Sequence, residues 1–470
     1  MLSNTSKRSF TEGPLFVRML LFAIPIILTG VLQLAYNMAD NIVVGRFSDD
    51  TGALAAVGSV GTFNTLIVNF LCGLTAGVGV TVAQLFGAGE SRRLSRTVHT
   101  AVLFSSVSGI VLGAIAFAVC RSVLTLMGTK PEILDSAVLY FRIICIGVPA
   151  TALYNCGASV LRAVGDSRTP LIILAGSGIV NVILNLVLVI GFKMSVVGVA
   201  VATVVSQYIS VIAVMAVLMR HKDKPYGFSL KSLCFDLPLL GRVLRLGVPA
   251  AIQSAVICFS NVLMTSAVNT FPTTTVSANT IAGNVDGIAY TTMNSFSQTA
   301  LTFAGQNWGA AKPKRIRRVY LYSLIQVSII GFIVGRLLLI FCEPVASLYI
   351  NPTDENYAAI MAAAKEIMNL ILSTYFICGI MEVLAGFMRG IGYAIAPMII
   401  GITSMCGIRV LWIYTVFPLE GMQTITGLYT SYPVTWSVSV LCYAVLSVFA
   451  FKKIRDIERL LDKKAAEAAG

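Results

Sequence analysis

The sequence predicts an all-α integral membrane protein with about twelve transmembrane helices in two six-helix lobes. Hydrophobic residues make up 57% of the 470 residues and charged residues only 12%, which is about half the charge of a soluble domain. Apolar stretches of about 20 residues or more recur along the chain, and motifs of the first half return in the second. Lipid offers no hydrogen bonds to the backbone and no barrel-like alternation is present, so each stretch is expected to be a helix.

About twelve stretches satisfy this length rule. They lie near residues 16–41, 54–86, 97–127, 136–161, 170–191, 196–219, 243–270, 277–306, 319–342, 360–388, 396–418 and 430–451.

Three motifs of the first half return in the second half with the same internal spacing. They are Arg162–Pro170 and Arg389–Pro397 (both R-x-x-G-x-x-x-x-P), Gln84–Ala88 and Gln306–Ala310, and the pairs Pro25/Asn37 and Pro249/Asn261. A duplicated and very hydrophobic chain is typical of transporters built from two bundles around a central path.

The distribution of positive charge predicts the topology. Lys and Arg concentrate in the N-terminal segment, in alternate connections such as 92–96 and 312–318, and after residue 451. The positive-inside rule then places both termini in the cytoplasm, which requires an even number of spans and makes the repeat a parallel one. The net charge of +13 is thus explained by topology and contact with membrane lipids, without a nucleic-acid partner.

The longest polar connection divides the chain. We predict an N-terminal six-helix lobe at 1–220, a cytoplasmic linker at 221–242, a C-terminal six-helix lobe at 243–451 and an amphipathic cytoplasmic tail at 452–470. The tail carries apolar residues on one helical face, which suits either the membrane surface or a solvated end.

Catalytic and metal chemistry is poorly supplied. The ten Cys residues are scattered and the two His residues are His99 and His221, so no metal site, disulfide framework or hydrolase triad is expected. No ATP-binding motif is present. We therefore predict a protein that is not an enzyme, uses no cofactor and depends on an ion gradient. The string Gly73-x3-Gly77-x-Gly79 is expected to serve helix packing.

The first span carries an acid, Asp40, near its outer end. Asn37 lies on the same helical face and Gln33 one turn earlier, with Tyr36 beside them. A carboxylate backed by amides can bind a proton or a small cation. Pro25 lies in the same span and permits a bend. The alternative is that Asp40 is a boundary acid at the lipid–water surface.

The fifth span carries Asn181 and Asn185, four residues apart and therefore on one face. Together with Asp40 they are expected to line one polar pocket. Hydrogen bonding between helices is the alternative use of such amides.

Polar side chains also mark the second half. They are Asn261 in the seventh span, Asp286, Asn294 and Gln298 in the eighth, Glu382 in the tenth and Arg409 in the eleventh. A buried charge without a partner is expensive, so we expect Glu382 or Asp286 to pair with Arg409. Such a pair would line a cavity or only fix the packing.

These residues resemble those of bacterial multidrug and toxic compound extrusion (MATE) transporters over about residues 14–450. The matching motifs are Pro25 with Tyr36-Asn37-x-x-Asp40 and Val44-Gly45-Arg46; Leu161–Pro170; and Asn279-Thr-Ile-Ala-Gly-x-x-Asp286 with Asn294-Ser-Phe-Ser-Gln298 and Gly305-Gln306-Asn307. They are similar to the family's first span, the loop after its fourth span and its eighth span.

The resemblance implies a V-shaped MATE-type fold, alternating access and multidrug efflux that contributes to antimicrobial resistance. Small amphipathic, often cationic compounds would leave across the cytoplasmic membrane in exchange for protons or sodium ions. The transporting unit is expected to be a monomer. In the family an acid matching Asp40 works with an Asn matching Asn181 and an Asp where this chain has Asn185. The second acid of a proton switch is therefore missing here.

Other classes fit the residues less well. A flippase for lipid-linked oligosaccharides needs cationic cavity residues, and Arg409 is the single deeply placed one by sequence. A major-facilitator-type transporter shares the parallel halves, but its basic loop does not match residues 87–96. A membrane enzyme would need a reactive cluster.

Overall fold

The computed structural model describes residues 9–47, 52–346 and 355–469, and within these ranges the secondary structure is helical, with no β-strand. The first half contains α1 (Leu15–Phe47), α2 (Ala53–Ala88), α3 (Ser91–Leu126), α4 (Pro131–Ala163), α5 (Arg168–Asn185) and α6 (Ser195–Arg220). The second half contains α7 (Leu237–Val268), α8 (Thr273–Gly309), α9 (Pro313–Ile340), α10 (Cys342–Ala346), α11 (Tyr357–Ser373), α12 (Tyr375–Gly390), α13 (Ile395–Gly401), α14 (Ile408–Thr415), α15 (Ile425–Tyr429) and α16 (Ser431–Ala469). Residues 1–8 and 470, for which a cytoplasmic position is predicted, lie outside the described ranges.

Every predicted span corresponds to a helix or a short series of helices. Ten of the described helical segments are long and apolar enough to cross a membrane, and α11 with α12, bent by 46°, forms an eleventh candidate. The 37-residue α8 is long enough but is not among them, because its many Asn, Ser and Thr side chains lower its hydropathy. The predicted all-α class is confirmed.

The fifth and eleventh spans each contain a π-helical segment. Leu186–Gly191 follows α5, and Ile402–Gly407 separates α13 from α14. Such wide turns are rare and often lie at functional sites. Asn185 comes directly before the first segment and Arg409 follows shortly after the second, so both predicted polar residues lie beside irregular backbone.

The chain forms two compact units. Most of unit 1 is Leu28–Ser254, whereas unit 2 consists of Phe10–Ile27 and Ala255–Gly470. The junctions lie inside α1, just after Pro25, and inside α7, shortly after Pro249. These units are defined by contacts and differ from the lobes predicted from the repeat, since α1 begins in unit 2 and continues in unit 1. The division into lobes at 221–242 stays a prediction.

Within unit 1, glycines of α2 allow close contact with α7. A Cβ atom on Gly73 would lie 2.4 Å from the Cα of Ala251, and one on Gly77 would lie 2.3 Å from the carbonyl oxygen of Val243. Real side chains do not approach so closely, so only glycine fits at these two positions. The packing role predicted for this glycine string is confirmed for Gly73 and Gly77.

The connection before α7 is fastened to α3 by a buried histidine. The Nε2 atom of His99 accepts a hydrogen bond from the backbone N–H of Ser229 (3.1 Å), and its Nδ1 lies 2.7 Å from the carbonyl oxygen of Ser95. The ring also stacks on Phe228 at 5.2 Å. Because one nitrogen accepts, Nδ1 must donate, which requires the neutral ring. His99 therefore fastens the connection before α7 to α3.

The repeated glutamines have matching structural roles. In unit 2, Gln306 Oε1 accepts a hydrogen bond from the N–H of Phe10 (2.8 Å), whose ring stacks on Phe303 at 3.8 Å. In unit 1, Gln84 Oε1 accepts from Arg242 Nη2 (2.7 Å). Gln306 of the second repeat thus holds the segment before α1, and Gln84 of the first repeat holds the beginning of α7.

The C-terminal tail is continuous with the last span. α16 runs from Ser431 to Ala469 without a break. Within it Ile454 is buried, and Glu458 Oε2 lies 2.7 Å from Arg317 Nη2. The predicted boundary at residue 452 is a change of composition within one helix.

Gly77→Ala tests the contact between α2 and α7. The added methyl group meets the backbone of Val243, so we expect a loss of about 1–3 kcal/mol, the usual cost of overpacking, and a lower melting temperature in detergent. Gly61→Ala is the control, because no atom lies within 4 Å of its Cβ position on the same helix. Equal melting temperatures for the two variants would contradict the close contact.

Candidate functional site

Asp40 is the centre of a hydrogen-bonded cluster in unit 1 that joins α1, α5 and α6. Its Oδ1 accepts a hydrogen bond from Asn185 Nδ2 (2.5 Å), and its Oδ2 accepts from Thr203 Oγ1 (3.4 Å). Asn185 Nδ2 also lies 3.3 Å from Asn181 Oδ1. Asn185 is fully buried and Asp40 is half-buried. The structure therefore brings together Asp40, Asn181 and Asn185, as the helical spacing predicted.

One oxygen of this cluster has no partner. The buried Oδ1 of Asn185 forms no hydrogen bond among the described residues, although a buried acceptor normally does. An amide can present either its NH2 group or its oxygen to a neighbour after a half-turn. The cluster thus has a spare acceptor directly beside a carboxylate, which suits the binding of a proton or a cation.

The ring of Tyr36 holds α1 against α5. Its hydroxyl donates to the carbonyl oxygen of Ala175 (3.2 Å), and a Cβ atom on Gly178 would lie 1.8 Å from the ring. Tyr36 is one helical turn before Asp40, so this contact sets the separation between Asp40 and α5. Gln33 and Asn37 are exposed and do not join the described hydrogen bonds of the cluster.

A second polar group lies in unit 2 around Arg409. This side chain is 2% exposed. Its Nη1 donates to Asn261 Oδ1 (3.0 Å), and its guanidinium lies over the ring of Tyr432 at 4.0 Å. The amide oxygen and the ring face together stabilise the charge.

The prediction that Arg409 pairs with Asp286 or Glu382 is wrong: the ion pairs of the described residues do not include Arg409. Asp286 is half-buried and feels the charge of Arg409 from outside ion-pair distance. Arg409 contacts Asn261 and Tyr432 instead, and its buried Nε forms no hydrogen bond among the described residues.

Glu382 belongs to a separate contact between α12 and α8. It is 8% exposed, and its carbonyl oxygen accepts a hydrogen bond from Ser297 Oγ (2.8 Å). Asn294 and Gln298 are half-buried on α8. Apart from Arg409 with Asn261, the described contacts do not connect the candidate residues of unit 2 into one cluster.

Sequence reasoning missed Thr203 and Tyr432. Thr203 lies in the apolar α6 among Ser residues, and nothing in its neighbourhood marks it as a partner of Asp40. Tyr432 did carry a signal, since Tyr429, Tyr432 and Trp436 follow a helical spacing. Tyr432 stacks on Tyr429 at 5.2 Å and contacts Trp436 at 5.8 Å.

A helical membrane chain with two compact units, each with polar side chains inside its spans, has the architecture of a secondary transporter. The MatE family profile matches residues 25–187 and 249–415. The chain therefore belongs to the MatE family of transporters, in agreement with the expectation that it is not an enzyme.

Curated relatives match over most of the chain. The probable multidrug resistance protein YoeA of Bacillus subtilis is 29% identical over 450 residues, which are 94% of this chain and 95% of the relative. The probable multidrug resistance protein NorM of Thermotoga maritima is 23% identical over 82% of both chains.

A solved structure of similar shape agrees. An outward-facing multidrug resistance MATE family transporter superposes with a TM-score of 0.87 at 19% identity, over 95% of this chain and 98% of the other. At this identity the likeness shows the fold. The MATE resemblance and the predicted fold of about twelve helices in two lobes are confirmed.

Gly178→Ala tests how Tyr36 positions α1. The new methyl group overlaps the ring, so we expect the free energy of unfolding to fall by about 1–3 kcal/mol. The melting temperature should fall with it. Tyr36→Ala in the same chain removes the ring and should recover part of the loss. Gly176→Ala is the matched control, since its Cβ position has no neighbour within 4 Å. A Gly178→Ala protein as stable as the Gly176→Ala protein would show that the ring does not contact α5.

Proposed function

We propose that this protein is a secondary active antiporter. It exports small amphipathic, often cationic organic compounds in exchange for entering protons or sodium ions, by alternating access. The names of relatives as probable multidrug resistance proteins support the substrate class. The observation that carries the coupling is the hydrogen-bonded Asp40 in α1. The positive-inside pattern supports a cell-membrane position with both termini in the cytoplasm, and the proposed unit is a monomer with no cofactor besides the coupling ion.

Proton binding at Asp40 would change the bonds between three helices. The ionised carboxylate accepts from Asn185 and Thr203. A protonated carboxyl group must instead donate one hydrogen bond, and the unpartnered Oδ1 of Asn185 supplies an acceptor once the amide turns. Protonation therefore exchanges one hydrogen-bond pattern for another on α1, α5 and α6, which is the kind of local event that biases a two-state structure.

Sodium would use the same oxygens differently. A hard cation binds carboxylate, amide and hydroxyl oxygens, and the cluster contains these on Asp40, Asn181, Asn185 and Thr203. The replacement of an expected acid by Asn185 lowers the negative charge and leaves one amide oxygen as a ligand. One carboxylate with neutral oxygens matches a single charge, whether proton or sodium ion.

The composition of the chain supports this substrate class. Aromatic residues are 9% of the chain and it has 16 Met residues. Aromatic faces attract organic cations, and flexible Met side chains adapt to varied apolar shapes.

Dye export from proteoliposomes tests the coupling. We would impose a proton gradient alone and then a sodium gradient alone, and follow a fluorescent cationic dye. Under proton coupling, Asp40→Asn should reduce gradient-driven export to the rate of protein-free liposomes, because the side chain can no longer exchange a proton. Asp135→Asn is the control, since this acid forms an exposed ion pair with Arg121 and its loss should leave export unchanged.

The contrary outcomes separate the parts of the proposal. Sodium-driven export that survives Asp40→Asn would move the coupling to Asp286 or Glu382. No export of several dyes under either gradient, from protein that remains folded, would contradict the drug antiporter and favour the flippase alternative.

A further inference from the structure

A cationic pocket lies in unit 2 where α1 and α9 begin. It has a volume of about 220 Å³ and is lined by residues 13–17 with Arg315, Arg318 and Tyr322. Drug-sized ligands usually occupy about 300–1,000 Å³. The pocket therefore fits a small charged group of a ligand, and the rest of that ligand would lie outside the pocket.

The walls of the pocket are held by hydrogen bonds. Arg315 donates from Nε to Asn307 Oδ1 (3.2 Å), from Nη1 to the carbonyl oxygen of Gly13 (3.2 Å) and from Nη2 to that of Phe10 (3.1 Å). Gln326 Nε2 donates to the carbonyl oxygen of Phe16 (2.6 Å). Because these bonds fix the beginning of α1 against α9, the pocket is preformed and a ligand need not order it.

Positive charge dominates around the pocket. Arg18 and Arg318 are near enough to Arg315 to repel its charge, and the Cβ position of Gly13 lies 3.0 Å from Arg18 Cζ. The neighbouring acids are Glu12, an exposed side chain 3.9 Å from Lys312 Nζ, and Glu458 and Asp462, which line an adjoining pocket with Arg315. The lining of the pocket itself includes Arg315 and Arg318 and no acid, so an anion there would relieve the repulsion between the two guanidinium groups.

Apolar stripes continue from the pocket along both helices. On α1, Val17, Leu21 and Ile24 are exposed at intervals of four and three residues, so they share one face. On α9, Leu321 and Ile325 are exposed in the same way. The two helices meet at the pocket, where the rings of Phe16 and Tyr322 are 5.6 Å apart. Exposed apolar side chains on membrane-spanning helices are covered by hydrocarbon.

We propose that this pocket binds the phosphate headgroup of an anionic phospholipid, with the acyl chains along the apolar stripes of α1 and α9. Charge complementarity selects the phosphate, and the adjoining stripes select a lipid over a soluble phosphate. The site is on the side predicted to be cytoplasmic, where anionic lipids attract basic residues. This inference rests on the geometry of unit 2 and does not depend on the proposed transport function.

Lipid retention by the purified full-length protein tests the site. After delipidation in detergent, phosphatidylglycerol or phosphatidylcholine is added and bound lipid is counted by native mass spectrometry. We expect wild type to retain phosphatidylglycerol in preference to phosphatidylcholine. Arg318→Gln should weaken phosphatidylglycerol binding about five-fold, the effect of one basic residue near an anionic surface.

The control is Lys314→Gln, which removes one positive charge from the same exposed segment but does not line the pocket. Its phosphatidylglycerol binding should equal that of wild type, and both variants should keep the wild-type melting temperature. Equal losses in the two variants, or no preference for phosphatidylglycerol, would overturn the site. Binding of soluble glycerol phosphate as tight as that of phosphatidylglycerol would also overturn it, because the pocket would then be a site for free phosphate.

Discussion

A carboxylate inside a membrane-spanning helix must receive its hydrogen bonds from the protein, because lipid supplies none. Asp40 receives them from Asn185 and Thr203, so one side chain joins α1, α5 and α6. Other features of unit 1 make this meeting possible. Gly178 leaves space for the ring of Tyr36, and the fifth span leaves α-helical geometry directly after Asn185. The hydrogen bonds of Asp40 therefore depend on the close packing of α1 against α5.

The path of α1 extends that constraint beyond the cluster. Its beginning follows a segment held by Gln306, in unit 2, and the same uninterrupted helix carries Asp40 in unit 1. A change in the bonds of Asp40 thus acts on a helix whose first turns are fixed. Pro25 is buried between the two regions and lacks the N–H that a regular helix would use, which lowers the cost of bending there. Bending at Pro25 stays a prediction, since α1 is one helix here.

Much of the fold follows from the sequence, because a hydrophobic length and a repeat are local patterns. The spacing of Asn181 and Asn185 also predicted correctly that they share a face with access to Asp40. What the sequence could not supply were partners chosen by tertiary packing. Thr203 is one Thr among many, and Arg409 contacts an amide and an aromatic ring instead of the expected acid. The junctions of the compact units were not visible either, because no change of composition marks them inside α1 or α7.

The two repeats keep their packing motifs and differ in their polar chemistry. Pro25 and Asn37 of the first repeat correspond to Pro249 and Asn261 of the second. By the same spacing, Met264 corresponds to Asp40. Met264 is 3% exposed and belongs to the apolar core of unit 2, so the second repeat has no acid at this position. Asn37 and Asn261 are both exposed, and Asn261 accepts a hydrogen bond from Arg409. At the position of Asp40 and Met264 the first repeat has a titratable carboxyl group and the second has a thioether. Ion binding at this helix position is therefore possible in unit 1 alone. In unit 2 the guanidinium of Arg409 lies against Tyr432 and donates to the neutral amide of Asn261, so the polar contacts there are built on a fixed charge and not on an acid.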